Sequence, residues 1–129
     1  MTKSELIKRA SEITGLYKPN EDFTSGAVGA ALVTKSGNVH TGVCVDCACG
    51  IGFCAEHSAI AEMLKHRESE IAMIVAVSVN GRVLPPCGRC RELICQVNSA
   101  NLDTKVIVSA RQTVLLRDLL PRRWQDAWK

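Results

Sequence analysis

The middle of the chain carries the nearly continuous apolar run Ile71-Ala72-Met73-Ile74-Val75-Ala76-Val77-Ser78-Val79. A β-branched run of this length is typical of a strand that is covered on both faces. Helical patterns over 54–65 and 87–97 precede and follow it in the sequence. Strands that alternate with helices usually lie parallel and are joined by right-handed crossovers. The run therefore predicts an α/β fold with a parallel part in its sheet.

The first third of the chain predicts a helix and then a β-hairpin. Thr2-Lys3-Ser4-Glu5 has the pattern of a capping box, so a helix should begin there and extend to about Tyr17. Strands are predicted over 27–34 and 39–45, with Lys35-Ser36-Gly37-Asn38 as the turn between them. The remaining predicted elements are a strand over 106–108 and a helix over 114–120. Together these elements predict one mixed sheet between two helical layers, a three-layer αβα sandwich.

The overall composition predicts an ordinary single globular domain over residues 1–129. The chain is 47% hydrophobic and 22% charged, and its net charge of +3 is too small to indicate nucleic-acid or membrane binding by itself. The polar start resembles no signal peptide, and the longest apolar run is too short to span a bilayer. We therefore expect a cytoplasmic protein, whose seven cysteines are thiols or metal ligands rather than disulfides.

Two cysteines lie three residues apart where a loop enters a predicted helix. The segment is Pro85-Pro86-Cys87-Gly88-Arg89-Cys90-Arg91. The spacing places Cys87 and Cys90 on one face of the first helical turn, where free amides and the helix dipole stabilise thiolates. For a Cys-x-x-Cys motif on its own, the alternatives are a redox-active dithiol or two buried structural cysteines.

A second loop-to-helix junction, Phe53-Cys54-Ala55-Glu56-His57, adds a third sulfur and a carboxylate. If both helices flank the central strand, their N-termini meet at one edge of the sheet, where ligand crevices form. Three protein ligands, Cys54, Cys87 and Cys90, would leave one zinc position open for water, which is the catalytic pattern. Glu56 is then placed to move protons, although an ordinary first-turn glutamate is the alternative for this residue alone.

These two segments resemble the zinc motif of the cytidine deaminase family, which reads His or Cys, any residue, Glu, and later Pro-Cys-x-x-Cys. The resemblance implies a zinc-dependent hydrolase acting on C–N bonds of cyclic amidines, a five-stranded mixed sheet and a homotetramer. It implies deamination of cytidine or deoxycytidine, a small-molecule substrate, in pyrimidine salvage. Zinc would be held by Cys54, Cys87 and Cys90, with Glu56 as proton shuttle. The backbone at Ala55 would bind the ring carbonyl, and Pro85 would face the leaving amine.

The sugar-binding part departs from the family pattern. Cytidine-specific members carry Asn-x-Glu on the second strand, where this chain has Cys44-Val45-Asp46. The thiol of Cys44 poorly replaces an amide, and Asp46 is one methylene shorter than Glu. An alternative substrate is therefore a modified cytosine nucleoside such as blasticidin S, on which a similar group of short deaminases acts.

Two aromatic residues complete the candidate substrate site. Trp124 stands at the spacing of the family's tail aromatic, which helps to close an active site, often that of a neighbouring subunit. Packing of the tail onto its own domain is the alternative. Phe23 is a further candidate.

The sequence argues against three other interpretations. Deamination of a base within nucleic acid needs a positively charged channel, and the low net charge and 4% aromatic content argue against it. A non-catalytic zinc or thiol module would not need Glu56. Cys44, Cys47 and Cys49 have a spacing that would allow a second metal site, but small apolar residues on a strand and loop are the favoured interpretation.

Overall fold

The computed structural model describes residues 1–128 and shows one seven-stranded mixed sheet with helices on both faces. The helices are α1 (Lys3–Glu12), α2 (Ala55–Lys65), α3 (Gly88–Val97) and α4 (Leu116–Leu119). The strands are β1 (Tyr17–Asn20), β2 (Phe23–Thr34), β3 (Val39–Cys47), β4 (Ile71–Ser78), β5 (Val83–Leu84), β6 (Lys105–Ile107) and β7 (Thr113–Leu115). Short 3₁₀ helices follow β3, α3 and α4, at Ala48–Gly50, Ser99–Asp103 and Trp124–Trp128.

The sheet is antiparallel at the front and parallel at its centre, as predicted. β2 pairs antiparallel with β3 on one side and with β4 on the other. β4 pairs parallel with β6, and β6 pairs antiparallel with β7. The α3 crossover between β4 and β6 accounts for the parallel pair.

The strand count of five was wrong, because β1 and β5 extend the sheet to seven strands. Both are short: β1 has four exposed residues and β5 has two. β1 pairs with the start of β2, and β5 with the end of β4. Such strands carry too little apolar alternation to be recognised from sequence.

Two predicted helices are shorter than expected. α1 begins at the capping box, which is confirmed: Glu5 N–H donates to Thr2 Oγ1 over 3.1 Å, and Thr2 N–H donates to Glu5 Oε2 over 3.1 Å. It ends at Glu12 rather than near Tyr17 because the chain turns away to form β1. Of the helix predicted over 114–120, only Leu116–Leu119 is helical, as α4. Residues 114 and 115 belong to β7 instead, because their backbone groups form hydrogen bonds with β6 there.

Two apolar clusters on opposite faces of the sheet confirm the three-layer αβα architecture. On β2, Ala30 and Leu32 contact the cluster under α2 and α3, while Ala31 and Val33 contact the cluster under α1. β4 is divided in the same way, as expected for a strand covered on both faces. The central apolar run is therefore the core of the molecule.

Close packing of α2 on β3 sets the position of the helix that begins at Cys54. A Cβ built on Gly42 of β3 would lie 2.3 Å from Ser58 Cβ and 2.4 Å from Ala59 N of α2. Ser58 also donates a 2.7 Å hydrogen bond to the carbonyl oxygen of Val43. The absence of a side chain at Gly42 thus brings the helix onto the sheet and fixes where its N-terminus points.

The longest helix in residues 1–128 is α2, with 11 residues, and none of the helices in that range has the length and apolarity needed to cross a bilayer.

Candidate active site

Three sulfur atoms from two helix starts converge at one point. Cys54 is the N-cap residue of α2 and Cys87 is the N-cap residue of α3, while Cys90 lies in the first turn of α3. The Sγ atoms of Cys54 and Cys87 are 3.4 Å apart, and those of Cys87 and Cys90 are 3.5 Å apart. All three lie within 4.8 Å of one another. The two helices therefore meet at their N-termini, as the sequence predicted.

The geometry of the three sulfurs fits one zinc ion. Tetrahedral ligands at a Zn–S distance of about 2.3 Å have sulfurs about 3.8 Å apart, so shifts of a few tenths of an ångström suffice. All seven cysteines are free thiols. Within residues 1–128 no fourth Cys, His, Asp or Glu atom joins this cluster. An ion bound by these three residues would therefore keep one coordination position free of ligands from residues 1–128.

The protonation of the three thiols explains why a cation would stabilise the cluster. Burial and the neighbouring Cys87 raise the pKa of Cys54 to about 11, and burial and the charge of Glu56 raise the pKa of Cys90 further. Burial opposes ionisation at Cys87 too, but hydrogen bonds from the Cys90 amide and the neighbouring thiols lower its pKa below the usual value. Ionisation is therefore easier at Cys87 than at a free thiol and is opposed at Cys54 and Cys90. A divalent cation would supply the missing positive charge.

Glu56 is a buried carboxyl group beside these sulfurs. It belongs to the first turn of α2 and is only 4% exposed. Burial raises its pKa above the ordinary glutamate value, although its own backbone amide partly opposes the shift. A carboxyl group with a raised pKa holds and releases protons nearer to neutral pH than an exposed one, which is the property required of a general acid and base.

A cavity of about 600 Å³ opens next to Glu56 and the sulfurs of Cys54 and Cys87. That volume lies within the range of small-molecule sites. Four of the six residues predicted to bind substrate line it: Cys44, Asp46, Ala55 and Pro85. Phe23 and Trp124 are not among the lining residues.

The loop between β3 and α2 forms a wall of the cavity that sequence reasoning missed. Phe53 and Val45 exchange two backbone hydrogen bonds of 2.9 and 3.0 Å, which fold the loop back onto β3. A Cβ at Gly52 would lie 2.2 Å from the carbonyl oxygen of Val45, so only glycine fits this approach. The glycines at 50 and 52 were the available signal for a tight loop, and Phe53 is the aromatic residue that it brings to the cavity.

Cys44 is held inside the cavity wall by hydrogen bonds. Its Sγ accepts a 3.3 Å hydrogen bond from the backbone N–H of Val28, and its thiol donates to Asp46 Oδ2 over 3.7 Å. Cys44 is 7% exposed, whereas Asp46 is exposed at the rim. The carboxylate of Asp46 is therefore the group on this strand that is available to a ligand.

The two aromatic candidates outside the cavity differ in exposure. Trp124 is 59% exposed, and its ring centroid is 5.3 Å from that of Trp128. Its backbone N–H donates to Glu92 Oε1 of α3 over 3.5 Å. Phe23 is half-buried and pairs across the sheet with Cys47.

The other cysteines on β3 and its following loop, and the histidine after Glu56, were the remaining candidates. Cys44, Cys47 and Cys49 form no metal-binding cluster within the described part of the chain. The ring of His57 stacks against Phe53 with centroids 6.4 Å apart, and its buried Nε2 has no hydrogen-bond partner among residues 1–128. Burial, and then the charge of Arg89, lower the pKa of His57, which favours the neutral imidazole.

Comparison with known proteins identifies a family for this site. Residues 2–108 match the family model described as the cytidine and deoxycytidylate deaminase zinc-binding region. A cytidine deaminase from Halalkalibacterium halodurans is 33% identical over 127 residues, which cover 94% of this chain and 92% of that protein. A blasticidin-S deaminase from Bacillus cereus is 37% identical over 100 residues, covering 70% of this chain and 69% of that protein.

A solved structure agrees with this result. The crystal structure of cytidine deaminase from Mycobacterium tuberculosis superposes with a TM-score of 0.80 at 27% identity, covering 96% of this chain and 98% of that chain. Since the family match spans most of the chain and includes both helix starts that carry the sulfurs, the protein belongs to the cytidine and deoxycytidylate deaminase family.

Proposed function

We propose that this protein hydrolyses the exocyclic amino group of cytidine or deoxycytidine, releasing ammonia and leaving the uracil nucleoside. The observation that carries the proposal is the convergence of Cys54, Cys87 and Cys90 beside the buried Glu56, at the wall of a cavity large enough for a nucleoside. The names of the relatives from H. halodurans and M. tuberculosis support the same substrate class.

In this proposal the three cysteines hold one zinc ion. When bound, zinc supplies Lewis-acid activation of the water used in hydrolysis. Glu56 carries the protons: its carboxylate accepts one from the attacking water and delivers it to the ring nitrogen next to the amino-bearing carbon. It then takes the remaining proton from the hydroxyl group that water has placed on that carbon and passes it to the amino group. The C–N bond breaks, ammonia leaves, and the water oxygen stays as the carbonyl oxygen of the uracil ring.

The other cavity residues would orient the nucleoside. The backbone at Ala55 would hold the ring carbonyl, and Pro85 would lie against the leaving amine. Asp46 would accept hydrogen bonds from sugar hydroxyl groups, because its carboxylate is exposed at the rim while the thiol of Cys44 is already engaged. This arrangement offers the sugar fewer polar contacts than an amide and a glutamate would.

The protein would act as a homotetramer. It would be a cytoplasmic enzyme of pyrimidine salvage. Phe23 and Trp124 lie outside the cavity of their own chain, and Trp124 is largely exposed. Both would be available to a neighbouring subunit, with Trp124 closing the neighbour's site.

Blasticidin S is the second candidate substrate, because Cys44 and Asp46 change the sugar-binding wall and one relative is named blasticidin-S deaminase. Both substrates share the cytosine ring, so the same proton transfers by Glu56 would serve either one. The difference between them would arise only at the rim.

A nucleoside panel scored by ammonia release tests the proposed function. Cytidine, deoxycytidine, 5-methylcytidine, blasticidin S and free cytosine are compared by kcat/KM. We expect the two simple nucleosides to be turned over, and cytosine to react more slowly because it lacks the sugar contacted by Asp46. Higher kcat/KM for blasticidin S than for cytidine would favour the second candidate. No ammonia from any cytosine compound would contradict the proposed function.

A further inference from the structure

We propose that His40, Glu62 and His66 form a second metal site, which binds a divalent transition-metal ion. One ligand atom from each of these residues lies within 4.8 Å of the others. His40 belongs to β3, Glu62 belongs to α2, and His66 is the C-cap residue of α2. The site is independent of the proposed deamination.

The cluster lies at the opposite end of α2 from the sulfurs. The helix has 11 residues and is about 16 Å long at about 1.5 Å per residue. Cys54 is at its first end and His66 is at its last. An ion here would therefore be separate from the one proposed at Cys54, Cys87 and Cys90.

The spacing of the donor atoms suits coordination. His40 Nδ1 is 3.1 Å from Glu62 Oε1. Ligand atoms that bind one ion at about 2.0–2.2 Å are about 3–3.5 Å apart. Glu62 and His66 are four residues apart and share one face of the helix. His66 is exposed, and its ring lies 5.1 Å from that of His40, so it has room to turn toward the ion.

The surroundings of His40 resemble those of a metal-binding histidine. The residue is 5% exposed, and its Nε2 lies 3.5 Å from Glu68 Oε2, on the side away from Glu62. A metal-binding histidine usually donates its other ring N–H to a carboxylate, which fixes the ring. Glu68 is itself fixed by a 3.0 Å hydrogen bond from Asn38 Nδ2.

Two carboxylates flank the ring of His40, with Glu62 at Nδ1 and Glu68 at Nε2. An imidazole that binds a metal has one lone pair for the ion and one N–H for a second partner. With the N–H of Nε2 facing Glu68, Nδ1 and the carboxylate of Glu62 would bind a divalent ion together.

The donor set determines which ions fit. Two imidazoles and one carboxylate suit zinc, nickel and copper ions. The three sulfurs at the other end of α2 are softer ligands and favour softer metal ions. The site opens to a surface depression lined also by Ser36 and Asn38, so water would complete the coordination. A bound ion would tie β3 to the end of α2 and stabilise the folded state.

Nickel binding tests the second site. Tag-free protein that retains its zinc is titrated with Ni²⁺ by calorimetry, thermal unfolding is followed in parallel, and both metals are counted by mass spectrometry. We expect one Ni²⁺ per chain, an unchanged zinc content and a higher unfolding temperature with Ni²⁺. His66→Ala should abolish saturable Ni²⁺ binding, and Glu68→Gln should weaken it about 10- to 100-fold, as outer carboxylates typically do.

The control variant is Lys65→Ala, which changes the neighbouring exposed residue of α2 and should bind Ni²⁺ like the parent. Glu62→Gln provides a second ligand variant if His66→Ala unfolds. Absence of a Ni²⁺ site in the parent, or equal Ni²⁺ affinity in the parent and the ligand variants, would overturn the proposal. Deaminase activity without Ni²⁺ should be the same in the parent and His66→Ala, so the result does not depend on the proposed function.

Discussion

Glu56→Gln is expected to lower kcat for cytidine about 100- to 10,000-fold, the usual contribution of a general acid and base, while zinc stays bound. Glutamine has nearly the shape of glutamate but cannot carry a proton between water, the ring nitrogen and the amine. The three sulfurs are untouched by the change, so the zinc content should remain one per chain.

The same variant should fold as well as the parent. Burial raises the pKa of Glu56, which means that the ionised carboxylate is less favourable in the folded protein than in the unfolded chain. The cost grows as the pH rises above the pKa of the unfolded state, and it is absent when the residue is a neutral glutamine. The unfolding temperature of metal-free Glu56→Gln at neutral pH should therefore not fall below that of the metal-free parent.

Steady-state kinetics with zinc analysis and thermal unfolding check both statements. Glu12→Gln, an exposed glutamate at the end of α1, is the control and should keep the parental kcat. Parental turnover in Glu56→Gln would show that this carboxyl group is not the proton carrier.

Cys90→Ala is expected to lose both zinc and activity. Cys90 is fully buried, and its Sγ lies 3.5 Å from that of Cys87. Without it two sulfurs remain, and two ligands do not hold zinc as three do. We expect less than one tenth of the parental zinc per chain and no measurable ammonia release, a larger effect than that of Glu56→Gln because the ion itself is missing.

Cys95→Ala is the matched control for that experiment. Cys95 lies on the same helix and is also buried, at 2% exposure, but its single S–H has other acceptors within reach, the carbonyl oxygen of Glu92 at 3.4 Å and Gln125 Oε1 at 3.7 Å. It should retain zinc and turnover. Zinc retained by Cys90→Ala, or lost equally from Cys95→Ala, would contradict the assignment of Cys90, since the second result would indicate general loosening of α3.

Sequence reasoning predicted the long elements of the fold and missed the short ones. The central run became β4, buried on both faces, and the capping box began α1. Both signals are local, because they depend on apolar periodicity and on hydrogen bonds between near neighbours. β1 contains a proline and is exposed throughout, so its pairing with β2 comes from the tertiary structure. Likewise, 113–115 form a strand because β6 offers them a partner, which overrides helix propensity.

The site was predictable where its residues are close in sequence. The positions of Cys87 and Cys90 follow from one helical turn, and the meeting of Cys54 with them follows from the layered fold. The wall formed by Phe53 and Gly52 depends on how a loop folds back on Val45, which no periodic pattern encodes. The cluster of His40, Glu62 and His66 was missed for a related reason: β3 places His40 beside two residues at the end of α2, and Glu62, the nearer of them in sequence, is 22 positions away.

Zinc X-ray absorption spectroscopy tests the central claim most directly, because it reads the atoms around the metal. The sample is protein with one zinc ion per chain, since a second zinc ion at His40, Glu62 and His66 would be averaged into the spectrum. We predict three sulfur atoms at about 2.3 Å and one oxygen or nitrogen atom at about 2.0–2.2 Å. Four sulfur atoms would show a closed structural centre, and a shell of only nitrogen and oxygen would show that the cysteines do not hold the ion. Either spectrum would contradict a catalytic zinc held by Cys54, Cys87 and Cys90.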